Sequence, residues 1–396
     1  MVRRPPLVFI FSVTVAGILA NTLLSPNIPD ILATFDQPES RAGLLVASGP
    51  LPGVLVAPII GIVADRLGRR RVLLPCLVLF GGAGLAVALA PSFELLLVAR
   101  VVQGVGGAGL INLAVVMIGD FWTGVERTTL IGRNSAVLTV CLALMPSFSG
   151  LIASVSNWRW SLACSSLALP IAAFGYRTMP RVDTVATRTI GEQLLDTRRA
   201  LRQPVILAVI ASATLLFMVI FGVFLTTLPV HLEKDFGLGP GARGLILSAP
   251  AIGSTLVAFN LGRIRSRSTV RTVLVASSAL ISISALAIGI APTVVLIVVA
   301  SVIYGLGDGL AIPTLQDVTA SSAPDGQRAS VMAGFVSATR LGQTIGPIGA
   351  SAIFAATSTS AAMLVGAAVF AVVAVGFLIG PIDEKAIARS AGAPVA

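Results

Sequence analysis

The chain has 396 residues, of which 56% are apolar and 11% are charged, whereas soluble domains average about 45–50% apolar and about 25% charged residues. Its 27 lysines and arginines outnumber its 17 aspartates and glutamates, which gives a formal net charge of +10. This composition excludes a soluble globular domain, a disordered chain and a disulfide-framed domain. A protein that crosses the membrane many times remains.

Stretches without charged residues recur along the whole chain, each near or above the ~17–25 residues that a membrane-spanning helix needs. Two of them, 272–307 and 341–382, are too long for one helix, and each contains a break. Strands are disfavoured because barrel strands alternate polar and apolar residues, which these segments do not. We therefore predict an all-α membrane protein with twelve transmembrane helices, at about residues 7–31, 42–63, 72–90, 94–118, 134–155, 161–179, 204–229, 244–262, 272–291, 293–318, 330–356 and 361–381.

The basic residues between the predicted spans fall almost entirely on one side of the membrane if the N-terminus is cytoplasmic. Arg340 belongs to that cytoplasmic group, whereas Arg100 lies inside a span. Because cytoplasmic loops are enriched in Lys and Arg, both termini are predicted to be cytoplasmic. The positive net charge is then explained by the excess of basic residues in the cytoplasmic loops, where they can contact anionic lipid headgroups. It does not indicate nucleic-acid binding. The basic residues on the outer side are Arg41, Arg159, Lys234 and Arg243.

An enzyme within the membrane would need a nucleophile with a base, or a metal ion. The single histidine, His231, falls in a predicted outer loop without a partner motif. Cys76, Cys141 and Cys164 lie singly in predicted helices, without the spacing of metal ligands. We therefore expect no enzymatic activity, no metal site and no cofactor.

The second half of the sequence repeats the first at a constant offset of 201 positions. Two parallel six-helix halves are an architecture of secondary transporters, with the substrate site near the membrane midplane. The predicted organisation is an N-terminal six-helix bundle at 1–180, a cytoplasmic linker at 181–203, a C-terminal bundle at 204–383 and a cytoplasmic tail at 384–396. The repeated positions include Gly61 and Gly262, Arg66 and Arg267, Arg70 and Arg271, and Gly104 and Gly305.

Between predicted helices 2 and 3 the sequence reads Gly-Ile-Val-Ala-Asp-Arg-Leu-Gly-Arg-Arg-Arg over residues 61–71. Physically, Gly61 and Gly68 permit a tight turn, and the arginines can pair with an acid on a neighbouring helix end, for which Asp120 is the candidate. The segment resembles the G-x-x-x-D-R-x-G-R-R signature of the major facilitator superfamily. The resemblance implies a gate between the two halves, formed by Gly61, Asp65, Arg66, Gly68, Arg69, Arg70 and Asp120.

A second segment, in predicted helix 4, reads Arg-Val-Val-Gln-Gly-Val-Gly-Gly-Ala over residues 100–108. It is similar to the R-x-x-Q-G-x-G-x-A motif of the same superfamily, in which the arginine has been linked to proton coupling. A buried arginine costs several kcal/mol unless it is paired. Asp30 or Glu94 is the expected partner of Arg100.

The motif of drug–proton antiporters in helix 5 is only partly present. Where those proteins carry G-P-x-x-G-G, this chain reads Met-Pro-Ser-Phe-Ser-Gly over residues 145–150, so the glycine before the proline is missing. The second copy of the loop signature has also lost its acid, because Asp65 corresponds to Ser266. The resemblance is to a twelve-helix, drug/proton antiporter-like transporter, with these two departures.

Asp308 lies near the middle of predicted helix 10, and an acidic residue inside the membrane is a functional candidate by default. It could carry a proton, bind a cation, or form a structural pair. Asp30 could accept a proton on the outer side or simply end helix 1. The candidates for proton coupling are Asp308, Arg100, Asp30 and Glu94.

Polar and aromatic residues within the predicted spans define a candidate substrate cavity. Asn21 and Ser25 share a stripe on helix 1, and Phe217, Phe221 and Phe224 follow helical spacing on helix 7. Packing is the alternative explanation for the aromatic row. The cavity candidates are Asn21, Ser25, Gln103, Asn112, Phe217, Phe221, Ser301, Tyr304 and Gln316.

The sequence thus predicts a secondary active transporter that exports small lipophilic compounds, as in multidrug efflux. We expect a monomer of the bacterial inner membrane that works by alternating access, contacts membrane lipids and uses the proton gradient. Two alternatives stay open. One is proton-coupled uptake of a small metabolite, and the other is export of a lipid-like molecule.

Overall fold

The computed structural model describes residues 4–180, 203–323, 328–380 and 382. The predicted tail at 384–396 and nearly all of the predicted linker at 181–203 lie outside these residues. Within the described ranges every regular element is a helix, as the sequence predicts. The twelve helices are α1 (Leu7–Thr34), α2 (Ala42–Ala47 and Gly53–Leu67), α3 (Arg69–Leu89), α4 (Phe93–Phe121), α5 (Gly124–Val155), α6 (Trp158–Ala163 and Ala168–Thr178), α7 (Pro204–Lys234), α8 (Pro240–Arg267), α9 (Val270–Gly289), α10 (Val294–Ser321), α11 (Arg328–Ala356) and α12 (Thr359–Ile379).

Nine helices of the described chain are long and apolar enough to cross a membrane by themselves. The other three are α2 and α6, which are interrupted, and α11, which carries several polar residues. Large apolar side chains such as Leu55, Phe259 and Ile379 are mostly exposed, as expected where lipid replaces water around a helical bundle. The fold is that of an all-α membrane protein.

Helix α5 is much longer than predicted, because it begins at Gly124 and not near residue 134. The prediction relied on charge-free sequence, which measures the part of a helix inside the hydrocarbon. Glu126 and Arg127 lie in the first turn of α5, where charged side chains are readily solvated. The first helical turns therefore extend beyond the apolar stretch.

Two helices contain local departures from α geometry. In α1 a short 3-10 turn covers Ser25–Asn27 and includes Pro26, as expected where proline removes a backbone donor. In α7 a π-helical segment covers Ile220–Thr227. The hydroxyl groups of Thr226 and Thr227 donate to carbonyl oxygens five residues earlier, at 2.6 and 2.8 Å.

The helices form two compact units of six helices each. The first contains α1–α6 together with Gly237–Ser248, which includes the first turns of α8. The second contains α7, the remainder of α8 and α9–α12. In the second unit, one part of the core is formed by Val257, Val273 and Leu310, from three successive helices.

The repeat seen in the sequence is visible in the packing within each unit. A β-carbon on Gly104 of α4 would collide with the carbonyl oxygen of Gly49, and one on Gly305 of α10 would collide with that of Pro250. Both the glycines and their partners are separated by the same offset of 201 residues. Each unit thus contains the same close helix crossing, which only a residue without a side chain permits.

In each unit, an arginine donates hydrogen bonds to the backbone carbonyl groups at the C-terminal end of a helix. Arg70 donates to the carbonyl oxygens of Met179 and Tyr176 at 2.8 and 2.6 Å, beside the end of α6. Its counterpart Arg271 donates to the carbonyl of Gly380 at 3.0 Å, just after α12. A cationic donor stabilises the free carbonyls at a helix C-terminus. The two equivalent arginines therefore have the same structural role in the two units.

Candidate functional site

A row of polar side chains lies along one face in the middle of α10, in the second unit. Ser301, Tyr304 and Asp308 follow each other at three- and four-residue spacing, which places them on one side of the helix. The buried atoms Ser301 Oγ, Tyr304 Oη and Asp308 Oδ1 have no hydrogen-bond partner among the described residues. Buried polar groups are normally satisfied, so three unsatisfied groups on one face mark this stretch as a candidate site.

Aromatic rings from α7 pack beside this face. The rings of Phe224 and Tyr304 stack with centroids 4.5 Å apart and an interplanar angle of 9°. Phe217 and Phe221 contact each other with centroids 6.4 Å apart. Within the predicted aromatic row, Phe224 thus contacts α10, whereas Phe217 and Phe221 contact each other. Apolar rings and an acidic side chain thus lie close together in the second unit.

Arg100 is the corresponding buried charge of the first unit, with 1% of its surface exposed. Its Nη1 donates to the carbonyl of Ala20 at 2.7 Å and to Gln103 Oε1 at 3.3 Å, and its Nη2 donates to Asn21 Oδ1 at 2.9 Å. Gln103 in turn donates to Ser165 Oγ at 3.2 Å. The structure thus joins three predicted site residues, namely Asn21, Arg100 and Gln103.

The expected acidic partners of Arg100 are found elsewhere, so that prediction is wrong. Asp30 forms an ion pair with Arg243, a residue of α8 that is only 1% exposed in its side chain. Glu94 lies 3.5 Å from Arg41 on the surface. The acceptors of Arg100 are neutral groups, because the acids sit at helix ends and the arginine sits deep within α4. The proposed part of Asp30 and Glu94 in proton coupling stays a prediction.

The loop signature between α2 and α3 forms a compact ionic cluster. Arg69 pairs with Asp65 in the preceding helix, and its Nε donates to Asp120 Oδ2 at 3.0 Å. Gly68 has a φ angle of +91°, a region that favours glycine. Gly61, in contrast, lies inside helix α2 with open space around it. The expectation that Gly61 helps to form the turn is therefore wrong, and Gly68 alone supplies it.

The remaining members of the predicted sites are spread over several places. Arg66 is exposed near the end of α2, and Arg70 satisfies the end of α6. Ser25 is buried in the 3-10 turn of α1. Asn112 is exposed on α4, and Gln316 is exposed next to Asp317, which pairs with Arg265 at 2.6 Å. The structure therefore does not bring Asn112 and Gln316 to the clusters around Arg100 and Asp308.

Three polar features escaped the sequence analysis. Arg340 lies well inside α11, where it donates to Gln343 at 3.1 Å, so its assignment to a cytoplasmic loop is wrong. His231 lies in the last turn of α7 and contacts Asp235 at 2.6 Å and Thr359 at 3.0 Å, so it does have partners. The third is a cluster that joins α1, α5 and α6 through buried side chains, and its members are Asn27, Ser149 and Ser161.

Some of these features could have been found from sequence. Asp235 lies four residues after His231, a spacing that brings side chains together on a helix. Arg340 lies within the span predicted at 330–356. It is counted with the cytoplasmic residues only because the positive-inside rule groups basic residues with the loops. The Asn27 cluster joins residues far apart in the chain, and no local pattern signals it.

Comparison with known proteins agrees with the architecture. The family model described as Major Facilitator Superfamily matches residues 10–242 and 210–395. The bacillibactin exporter of Bacillus subtilis (strain 168) is 23% identical over 367 residues, which are 88% of this chain and 89% of that protein. Similarity in this case extends over nearly the full length of both proteins.

Other relatives match a shorter region at higher identity. The MFS-type transporter ppz2 of Metarhizium majus (strain ARSEF 297) is 31% identical over 156 residues, and the multidrug transporter protein MdtP of Bacillus subtilis (strain 168) is 33% identical over 142 residues. These matches cover 39% and 36% of this chain, and 26% of each relative. The chain thus matches about a quarter of the length of these two proteins.

Solved structures share the same fold. A bacterial homolog of the human lysosomal transporter Spinster, in an inward-facing and unoccupied conformation, has a TM-score of 0.79 and 16% identity, and covers 98% of both chains. The nucleoside transporter NupG (D323A mutant) has a TM-score of 0.72 and 17% identity, over 93% of this chain and 99% of that one. The family model covers nearly the whole sequence, and the fold agrees with it. The chain therefore belongs to the Major Facilitator Superfamily and is a membrane transporter, not an enzyme.

Proposed function

We propose that this transporter exports small, mostly lipophilic compounds in exchange for protons, as multidrug efflux proteins do. In this proposal it works by alternating access as a monomer of the bacterial inner membrane, with both termini in the cytoplasm. The proton gradient supplies the energy, and no bound cofactor is needed. The observation that carries the proposal is Asp308, an acidic residue held in the middle of α10 beside unsatisfied hydroxyl groups.

The chemistry of Asp308 suits proton exchange. A carboxylate inside the membrane is expensive unless it binds a proton or a cation. Its Oδ1 has no hydrogen-bond partner among the described residues. In that part of the chain, no hydrogen bond to this oxygen therefore fixes the carboxyl group in its protonated or its ionised form. A carboxyl group in such surroundings can release its proton when water or a cationic substrate reaches it and bind another proton when it is enclosed again.

The surroundings of Asp308 favour a lipophilic substrate. The stacked rings of Phe224 and Tyr304 are both at most 5% exposed, and aromatic faces attract apolar and cationic ligands. Names of relatives agree with export, since they include a bacillibactin exporter and a multidrug transporter protein. The rings thus support a lipophilic substrate, and the names of these relatives support export over uptake.

Dye efflux in cells that lack their own pumps tests this proposal. The cells express the chain or its Asp308→Asn variant and are loaded with lipophilic cationic and neutral dyes, with and without a protonophore. Asp317→Asn is the matched control, because Asp317 lies on the same helix but is exposed and paired with Arg265. We expect protonophore-sensitive efflux that is lost in Asp308→Asn and retained in Asp317→Asn, at equal amounts of protein in the membrane.

Two other results would contradict the proposal in different ways. Efflux that is unchanged in Asp308→Asn would remove Asp308 from proton coupling and direct attention to Asp30, Glu94 or Arg100. Failure to export any dye, with folded protein in the membrane, would favour uptake of a small metabolite or export of a lipid-like molecule. Uptake of radiolabelled metabolites in the same cells then distinguishes these two.

A further inference from the structure

An apolar groove lies between α3 and α4, beside the turn that joins them. Its volume is about 360 Å³. On α3 the groove is lined by Ala83, Ala86 and Leu89, followed by Ala90 in the turn. On α4 most of the lining residues are larger, and they include Leu95 and Val98. Ala83 and Leu89 are six residues apart, so the groove follows α3 for about 9 Å. The small side chains of Ala83 and Ala86 therefore leave room for a narrow apolar ligand that runs along α3.

The groove opens toward the surroundings of the protein and not toward its core. Leu89, Leu95 and Val98 are 69%, 54% and 59% exposed. In a helix that spans a membrane, such side chains face hydrocarbon. The natural occupant of an apolar groove on this face is thus an acyl chain.

A cation stands at the end of the groove next to the α3–α4 turn. Arg159 donates from one nitrogen, Nη1, to the carbonyl oxygens of Ala88 and Ala90 at 2.8 and 2.9 Å. Ala90 itself lines the groove. The guanidinium also lies over the rings of Trp158 and Phe35, at 4.5 and 5.7 Å from their centroids. These contacts fix its position while the side chain stays partly exposed.

The donors that remain on Arg159 match a phosphate group. A guanidinium has five N–H groups, and the two on Nη1 are used by Ala88 and Ala90. The groups on Nε and Nη2 form the planar fork that binds phosphate in a bidentate manner. Arg41, in the 3-10 turn Glu39–Arg41 before α2, lies over the ring of Phe93 at the start of α4. It is a weaker candidate for binding phosphate, because Glu94 already lies 3.5 Å from it.

The depth of Arg159 in the membrane also fits a headgroup. Trp160 follows it in the chain and is 66% exposed, and exposed tryptophans gather at the boundary between hydrocarbon and water. The groove extends from this boundary along α3 toward the interior. A molecule with a phosphate at one end and a hydrocarbon chain at the other has the same arrangement.

We propose that this groove is a binding site for one phospholipid, with an acyl chain between α3 and α4 and the phosphate on Arg159. The site is separate from the Asp308 face, because it lies on the exposed surface of the first unit. Binding would hold the α3–α4 hairpin and the start of α6 together, since Arg159 belongs to α6.

Native mass spectrometry of the purified protein in a maltoside detergent tests this site. Phosphatidylethanolamine or phosphatidylglycerol is added, and the fraction of protein that retains a phospholipid is measured. Ala86→Leu fills the groove without touching the core, and Ala371→Leu is the matched control on the exposed face of α12. Arg159→Gln removes the cation, and Arg71→Gln is its control at another exposed arginine.

We expect Ala86→Leu to lose the most tightly retained phospholipid and Arg159→Gln to weaken its binding about tenfold. Both control variants should retain it as the original chain does. Each protein is also melted with and without lipid, so that a purely structural effect of Arg159→Gln appears in the lipid-free sample. The lipid-dependent rise in Tm should vanish in Ala86→Leu and Arg159→Gln.

Three outcomes would overturn this proposal. Equal retention by Ala86→Leu and the original chain would show that the groove holds no specific lipid. Equal losses in Ala86→Leu and Ala371→Leu would indicate general lipid contact. A rise in Tm with inorganic phosphate alone, equal to that with phospholipid, would indicate a free-anion site.

Discussion

The two units share their packing and differ in their charges. The crossing at Gly104 in the first unit is repeated at Gly305 in the second. At the same offset, however, the buried Arg100 corresponds to Ser301, and Asp308 corresponds to Gly107. One copy thus keeps a cation and the other an acid, on equivalent helices.

The surroundings of these two charges differ as well. Arg100 is held by three hydrogen bonds to neutral acceptors, whereas Asp308 has an unsatisfied oxygen among described residues. A β-carbon on Gly107 would lie 3.1 Å from the ring of Phe80, so the first unit has little room for an acid there. Close packing therefore constrains the duplicated scaffold, whereas the charged positions differ between its two copies.

The largest expected effect comes from adding one methyl group at the shared crossing. Gly104→Ala and Gly305→Ala place a β-carbon against a backbone carbonyl oxygen, which cannot rotate away. We expect each change to lower the free energy of unfolding by about 1–3 kcal/mol, with a lower Tm and less folded protein in detergent. Thermal unfolding followed by size-exclusion chromatography measures this.

Gly61→Ala and Gly262→Ala are the matched controls, because they occupy repeated helix positions with open space around the glycine. Alanine favours a helix over glycine by roughly 0.5–1 kcal/mol, so these variants should be slightly more stable. If Gly305→Ala were as stable as Gly262→Ala, the two units would not depend on the same crossing.

A smaller effect is expected from the ion pair between Asp30 and Arg243 in the first unit. Arg243 is almost fully buried, whereas 38% of the Asp30 side chain is exposed. Arg243→Gln should therefore cost about 1–2 kcal/mol, less than the loss of a fully buried pair. Combining it with Asp30→Asn in a double-mutant cycle, measured by thermal unfolding, gives the coupling between the two residues.

The exposed pair of Arg41 and Glu94 supplies the control for this cycle. Its separation of 3.5 Å and the exposure of both side chains predict a coupling below about 1 kcal/mol. A coupling of Asp30 and Arg243 that is no larger than this value would contradict a structural role for the buried arginine.

The smallest effect should come from the repeated helix caps. Arg70→Gln and Arg271→Gln each remove a cationic donor from the end of a helix and should cost about 1 kcal/mol. Arg71→Gln, at an exposed neighbour, should change the stability by at most about 0.5 kcal/mol. Similar losses for Arg70→Gln and Arg271→Gln in chemical unfolding would sharpen the equivalence of the units. A loss of stability in only one of the two variants would show that the two arginines are not equivalent.

Local composition is sufficient to predict the helices, a constant offset reveals the repeat, and a short signature marks the ionic loop. Asp120 was identified as the acid near the loop signature from its place at the end of α4. Arg243 was missed as the partner of Asp30, since that pair joins α1 to α8 across the chain. The partners of Arg100 were also missed, because a backbone carbonyl and a neutral amide carry no charge signal.

The aromatic residues of α7 show a different limit. Spacing of four and three residues predicts that Phe217, Phe221 and Phe224 share one α-helical face, but part of this row lies in the π-helical segment, and Phe224 stacks on Tyr304. Hydrophobic spacing assumes a constant 3.6 residues per turn. It cannot detect a wider turn when all neighbouring residues are apolar, as they are in Ile220–Thr227.

That wider turn has a consequence for how α7 and α10 fit together. One residue of an α-helix corresponds to a rotation of about 100°, so a turn that takes in an additional residue changes the azimuth of everything beyond it. The ring of Phe224, within this segment, lies flat on Tyr304. The side chains of α7 within and beyond Ile220–Thr227 therefore face directions that a uniform α-helix would not give them, and one of them is the ring stacked beside Asp308.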